Sequence, residues 1–196
     1  MPFLPKQAEV YNQLLDTRQT LLYGSVRSGK TELQEYCSLK LAKNIPGNIL
    51  FIGKTIGALQ RNVIAPLQAK FPNHVKYNRS TKVLKIFGKE CWVEGATNEG
   101  AVERIQGMTL GAALGDETLT WPLNFWEMLE TRLSDQGAVS LHTFNPGPPQ
   151  HYLKKRIDQE DELGYGSDCR KELAAYRFIL DENIYLDPAF IVSLKK

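Results

Sequence analysis

Two spacings of apolar residues alternate along this chain. Short continuous runs at Thr20 to Tyr23, Asn48 to Ile52, Leu110 to Gly115 and Val139 to Phe144 have the length and composition of strands buried on both faces. Between them, apolar residues recur three and four apart. Lys6 to Asp16 places Val10, Leu14 and Leu15 on one face, and Ile56 to Lys70 stacks Leu59, Val63 and Leu67. These segments predict helices, as do Thr31 to Lys43 and Trp121 to Leu133. Val83 to Phe87 and Cys91 to Glu94 flank Gly88-Lys89 and predict a β-hairpin, and Thr97 is placed to cap a short helix running to Ile105. Beyond Phe144 the pattern loosens into a proline-rich loop at Pro146 to Pro149, an acidic segment and a strand near Tyr176 to Leu180. Alternation of this kind predicts an α/β domain, with a central, mostly parallel sheet flanked by helices and no boundary within residues 1–196.

The first predicted strand runs into Gly24-Ser25-Val26-Arg27-Ser28-Gly29-Lys30-Thr31, a complete GxxxxGKT that opens the next helix. In that context the backbone N–H groups of the loop wrap phosphates, and the helix N-terminus adds its dipole. Lys30 is expected to reach the β- and γ-phosphates and the Thr31 hydroxyl to ligate Mg²⁺. Gly53-Lys54-Thr55 looks like a second such loop. It is read as an ordinary strand-to-helix turn, because the residues between Gly47 and Gly53 are themselves strand. The strand at Leu110 ends in Asp116-Glu117, where Asp116 is expected to hold Mg²⁺ and Glu117 to orient and polarise the attacking water. Thr143 and Asn145, ending the neighbouring strand, are placed to sense the γ-phosphate and relay its loss through the proline loop. Gln7 is either a reader of the adenine edge or an exposed helical residue. Arg27 can approach the phosphates of its own nucleotide. Arg104, and less directly Arg132, are either surface residues or arginine fingers for a neighbouring subunit.

Composition adds limits rather than chemistry. The chain has 196 residues and a net charge of +2, with no apolar run near the ~18 residues a membrane span needs and no signal-peptide layout, so an intracellular soluble protein is expected. Lys154-Lys155-Arg156 and Lys195-Lys196 read as solvated faces. Cys37, Cys91 and Cys169 are widely spaced and form no CxxC, which predicts reduced thiols. His74, His142 and His151 have no metal-ligand spacing with them, so a metal is expected to arrive with the nucleotide.

A glutamine near the start, GSVRSGKT, a strand running into Asp-Glu, and FNPGPPQHYLKK together resemble the ATPase domain of the large terminase subunit of tailed bacteriophages. In that family the third motif is typically a Thr-Asn-Pro stretch followed by proline and His-aromatic. Thr143, Asn145, Pro146, His151 and Tyr152 match it, with Phe144 inserted. Leu180 to Pro188 is similar to the element that closes this domain, with Ile184 in place of the usual proline. The resemblance covers nearly the whole chain. It implies an ASCE-type P-loop fold, ATP with Mg²⁺, and a ring of subunits on the portal protein, working with the small terminase subunit. Such a ring pumps double-stranded DNA into an empty capsid, in the cytoplasm of the infected bacterium. Family members normally carry a C-terminal nuclease domain of RNase H type, so the resemblance also implies an isolated ATPase domain without nuclease activity. Two rival readings share some of these motifs. A helicase-like or recombination P-loop ATPase gives no reason for Asn145-Pro146 followed by His151-Tyr152. A nucleotide-gated binding module has no need of Glu117.

Overall fold

In chain order the computed structural model, which describes residues 2–98 and 100–187, begins with α1 (Pro5–Gln13), β1 (Thr17–Gly24), α2 (Lys30–Asn44), β2 (Ile49–Gly53) and α3 (Ile56–Leu59). A π turn at Gln60–Ile64 leads without a break into α4 (Ala65–Lys70). Then come β3 (Val75–Asn78), β4 (Val83–Ile86), β5 (Lys89–Gly95), α5 (Ala101–Gln106), β6 (Ala112–Gly115) and α6 (Leu123–Arg132). The last elements are β7 (Val139–Phe144), α7 (Tyr152–Asp158), α8 (Glu160–Leu163) and β8 (Lys171–Phe178). The eight strands form one sheet in the order β3-β4-β5-β2-β6-β7-β1-β8. Every pairing from β5 to β8 is parallel, and only the β3-β4-β5 corner is antiparallel.

The period of two explains the layers. In β2, Ile49 and Phe51 join the core on one face while Leu50 and Ile52 join the core on the other. The first core is closed by Val10 of α1 and Leu14 just after it, Leu33, Cys37 and Leu41 of α2, and Leu59 and Leu67 of α3 and α4. The second is closed by Ile105 of α5, Phe125, Trp126 and Leu129 of α6, and Leu153 of α7. A strand covered on both sides reads as a continuous apolar run, which is why these strands were visible in the sequence.

Several expectations are corrected. The first strand starts at Thr17, whose pairing with Lys171 of β8 extends it backwards and ends α1 at Gln13. The predicted hairpin gains a third strand, β3, paired antiparallel to β4. The predicted helix over Ile56 to Lys70 contains the π turn. Thr97 caps no helix: its hydroxyl donates to the Lys54 carbonyl at 2.7 Å, and α5 starts only at Ala101 behind a left-handed Gly100. Extended Pro122 delays α6 to Leu123. The strand near Tyr176 begins earlier, at Lys171, and the loosened segment before it folds into α7 and α8. Among the described residues no helix is long and apolar enough to cross a membrane. Pro188 of the closing motif and Lys195-Lys196 lie outside the described residues.

Candidate active site

β1, β2, β6 and β7 run in the same direction, so their C-terminal ends deliver Gly24, Gly53, Gly115 and Phe144 to one edge of the sheet. Ligands bind at that edge in open parallel sheets. Gly24 has φ 135°, and a Cβ there would sit 1.8 Å from the Phe178 carbonyl oxygen, so only glycine lets β1 pass β8 at this point. Ser25 N–H donates to that same carbonyl at 2.9 Å. Left-handed turns at Arg27 (φ 58°) and Gly29 (φ 90°) then fold the chain back on itself, and α2 starts at Lys30. The Ser28 hydroxyl donates to the Ser25 carbonyl at 2.7 Å and closes the loop from inside.

Lys30 is buried beneath this loop. Its ammonium donates to the carbonyls of Gly24 (3.0 Å) and Ser25 (2.6 Å), to Ser28 Oγ (3.4 Å) and to Asn145 Oδ1 (3.3 Å). None of those four acceptors is charged, so the positive charge remains available to an anion. Burial lowers the lysine to about 8, opposed by the charge of Asp116.

Asp116 follows β6 directly and is only 7% exposed. Thr143 Oγ1 donates to its Oδ1 at 2.9 Å, and the Asn62 side chain and the Glu117 backbone also donate to the carboxylate. Burial raises the Asp116 pKa, and these hydrogen bonds together with Lys30 pull it back. Behind Thr143, Gln34 Nε2 of α2 donates to the Gly115 carbonyl at 3.1 Å, tying the loop helix to the acidic strand. Glu117 is exposed and has φ 52° and ψ 38°, an uncommon conformation for a side chain of its size. The turn sends its carboxylate to solvent while its neighbour stays buried.

These groups share one cavity of about 190 Å³, lined by Val26, Arg27, Lys30, Thr31, Asn62, Asp116, Glu117, Thr143, Phe144 and Asn145. A second, more apolar cavity of about 450 Å³ lies on the other side of the loop, against Leu4, Pro5, Lys6, Ser28, Phe178 and Glu182. The closing motif holds this region together. Asn183 Nδ2 donates to the Arg27 carbonyl at 2.8 Å, and Lys6 pairs with Glu182 at 2.5 Å.

Not every candidate enters the cavities. Gln7 is buried, with its amide turned onto backbone: Oε1 accepts from Leu4 N–H at 2.9 Å and Nε2 donates to the Gly29 carbonyl at 3.2 Å. Its place beside Gly29 makes it a brace for the loop, and the exposed reading is wrong. Arg104 is outside the cavity lining and pairs with Glu94 at 2.9 Å. Arg132 donates to the Gln106 carbonyl. His151 caps α7 by accepting from Leu153 N–H at 3.2 Å, and Tyr152 donates to the Trp121 carbonyl at 3.3 Å. Gly147 packs so closely on Leu119 that a Cβ would come within 2.5 Å, so the proline loop touches the segment just after Glu117. Sequence reasoning missed Asn62 and Gln34. For Asn62 a signal existed, a proline four residues later inside a predicted helix.

The donor set suits a magnesium-bound nucleotide. A hydroxyl and a carboxylate offer hard oxygen ligands in one cavity, beside a helix N-terminus and a lysine whose hydrogen bonds all go to neutral acceptors. Fold and site together define a P-loop nucleotide-binding domain. Among solved structures it is similar to large terminases of bacteriophages. The large terminase from a thermophilic bacteriophage superposes with a TM-score of 0.83 and 29% identity, over 96% of this chain and 48% of that one. The same terminase in complex with ATP-gamma-S gives 0.83 and 28% identity over 99% and 49%. The Thermus phage P74-26 large terminase ATPase domain shares the fold, with a TM-score of 0.64 and 14% identity over 97% of this chain and 91% of that one. This chain thus spans about half the length of the first of these terminases. No family model matches the sequence, and no curated protein does either.

Proposed function

We propose that this domain hydrolyses ATP, and that the protein to which it belongs is a DNA-packaging motor of the large terminase kind. The observation that carries the reading is the convergence of Lys30, Thr31, Asp116, Glu117 and Asn145 on one cavity at the C-terminal edge of the sheet. The loop N–H groups and Lys30 bind the β- and γ-phosphates. Thr31 and Asp116 would hold Mg²⁺, which would supply positive charge to the phosphates. Glu117, exposed beside them, orients and polarises the attacking water. The base and ribose occupy the larger cavity between Pro5 and Phe178, with Gln7 bracing the loop from below.

Coupling follows from the contact between Lys30 and Asn145. A γ-phosphate competes for the lysine, which frees Asn145 to follow the phosphate and moves the loop from Pro146 to Pro149 against Leu119. Arg104 is the candidate finger in trans, since it lies outside its own cavity. Arg27 is the candidate in cis. In the full protein the partners are double-stranded DNA, the portal protein and the small terminase subunit, in a ring assembled within the infected bacterium.

The test is the steady-state ATPase rate of the chain and of Glu117→Ala across a range of protein concentrations. A rate that rises more than linearly and vanishes in the variant supports a ring with a finger in trans. Strict proportionality favours Arg27 and a self-sufficient site. Undiminished hydrolysis in Glu117→Ala overturns the mechanism.

A further inference from the structure

Between Ile56 and Lys70 the helix is irregular for a reason written in its sequence. Pro66 has no N–H, and its ring crowds the carbonyl four residues back, which belongs to Asn62. The chain avoids that clash by widening. Gln60–Ile64 forms a π turn, and Ala65 N–H donates to the Gln60 carbonyl five residues back instead of four. Turns of this type are rare and frequent at functional sites. Here the widened turn carries Asn62 to the rim of the phosphate cavity, where its side chain donates to the Asp116 carboxylate.

The surroundings of Asn62 argue against a packing role. Its neighbours Val63 and Ile64 are fully buried in the core, whereas Asn62 itself is exposed. The chemistry of the side chain also matters. A lysine or arginine at this place would pair with Asp116 and compete with a metal, and a carboxylate would repel it. A carboxamide donates a hydrogen bond without charge, so it fixes the carboxylate's orientation and leaves its negative charge for the cation. Thr143 holds Asp116 from β7 at 2.9 Å, and Asn62 holds it from a different element.

We infer that Asn62 is a positioning residue for ATP hydrolysis, set by the Pro66-induced π turn so that its amide orients Asp116 toward the metal side of the cavity. The inference rests on the ATPase reading proposed above.

The experiment compares Mg²⁺-dependent ATPase kinetics of the whole chain with Asn62→Ala, Asn62→Asp, Pro66→Ala and Asp116→Ala, alongside thermal unfolding of each. Asn62→Ala is expected to lower kcat by about tenfold or more, the scale of losing alignment. Its KM for ATP should stay within about twofold and its unfolding should be unchanged, because an exposed side chain contributes little to folding. Half-activation should need more Mg²⁺. Asn62→Asp keeps the size of the side chain but loses its N–H donor, so it should lose kcat as Asn62→Ala does, a loss that a packing residue would not produce. Pro66→Ala restores the missing N–H, lets the turn close and rotates Asn62 by about 100°. It should lose kcat as Asn62→Ala does, without losing stability. Wild-type kcat in Asn62→Ala, in Asn62→Asp or in Pro66→Ala each overturns the inference, provided Asp116→Ala is inactive. Full activity in Asp116→Ala would instead overturn the ATPase reading beneath it.

Discussion

Gly29-Lys30-Thr31 and Gly53-Lys54-Thr55 are the same tripeptide at the ends of two strands of one sheet, and they use their backbones in opposite ways. In the first, β1 has already ended at Gly24, so Ser25 to Ser28 form a loop that turns through left-handed Arg27 and Gly29 and buries Lys30 beneath it. In the second, β2 continues through Gly53 and no loop remains. Thr55 Oγ1 accepts from Ala58 N–H at 3.1 Å and serves as the N-cap of α3, while Lys54 stands in solvent. The carbonyls of Gly53 and Lys54 accept from Ala96 and Thr97 N–H at 2.9 and 3.2 Å, which spends this turn on holding β5 and its extension. A phosphate loop is therefore defined by the chain in front of the tripeptide. Four residues of slack and two left-handed turns convert a helix cap into an anion cradle.

The widest separation between the two turns is expected from their lysines. Lys30→Ala removes a buried cation aimed into the phosphate cavity, and kcat/KM for ATP should fall by at least about a hundredfold, the scale of losing one preorganised charge. Lys54→Ala alters an exposed side chain and should leave kcat/KM within about twofold. Steady-state ATPase assays on the two variants decide this. Comparable losses would mean that the second turn also meets nucleotide, and the contrast would collapse.

How much of this was legible in the sequence depends on the range of the forces involved. β2, β6 and β7 announced themselves because burial on both faces makes a strand uniformly apolar, and the phosphate loop and the two acids carried their own spacing. β3 did not. Val75-Lys76-Tyr77-Asn78 buries only Val75 and exists as a strand because β4 lies beside it. The start of β8 is charged, Lys171-Glu172, and is held extended by its pairing with β1 and by a bridge from Lys171 to Tyr165. α7 fully buries Leu153 alone, and its apolar stripe is only one turn long, Leu153 and Ile157. In the site, the fate of Gln7 was hidden for the same reason: its amide was decided by where Gly29 sits in three dimensions. Asn62 differs, because Pro66 recorded the distortion locally.

A middle-sized effect should separate the turns by pH. Burial holds Lys30 at about 8 in the unliganded protein, so raising pH through that value removes the charge the phosphates need. Since kcat/KM reports the free enzyme, it should fall about tenfold per pH unit above that point. Bound phosphates keep the lysine protonated, so kcat should stay flat across the same range. On the acidic side, burial raises the Asp116 pKa, so as pH falls metal-dependent activity should be lost before the point at which an ordinary carboxylate protonates. Parallel profiles of kcat/KM and kcat, from the acidic range to about two units above the lysine, check both limbs. An alkaline fall in kcat as large as that in kcat/KM would mean that Lys30 is not the titrating group.

The smallest effect belongs to the threonines. Thr55→Ala removes the side-chain cap of α3 and should cost about 1 kcal/mol, read as a lower urea midpoint at unchanged slope. ATP hydrolysis should be untouched, since Thr55 lies outside the phosphate cavity. Thr31→Ala should do the reverse. Its helix begins behind Gly29 with no side-chain cap, so stability has little to lose, whereas the hydroxyl faces the cavity with Asp116. The Mg²⁺ concentration for half-maximal activity should rise while the urea midpoint stays within experimental error. The two measurements cross: one threonine answers to denaturant and the other to metal. If Thr31→Ala lowers the urea midpoint and leaves the Mg²⁺ requirement alone, its hydroxyl is a helix-start device like that of Thr55, and Asp116 stands without its proposed partner.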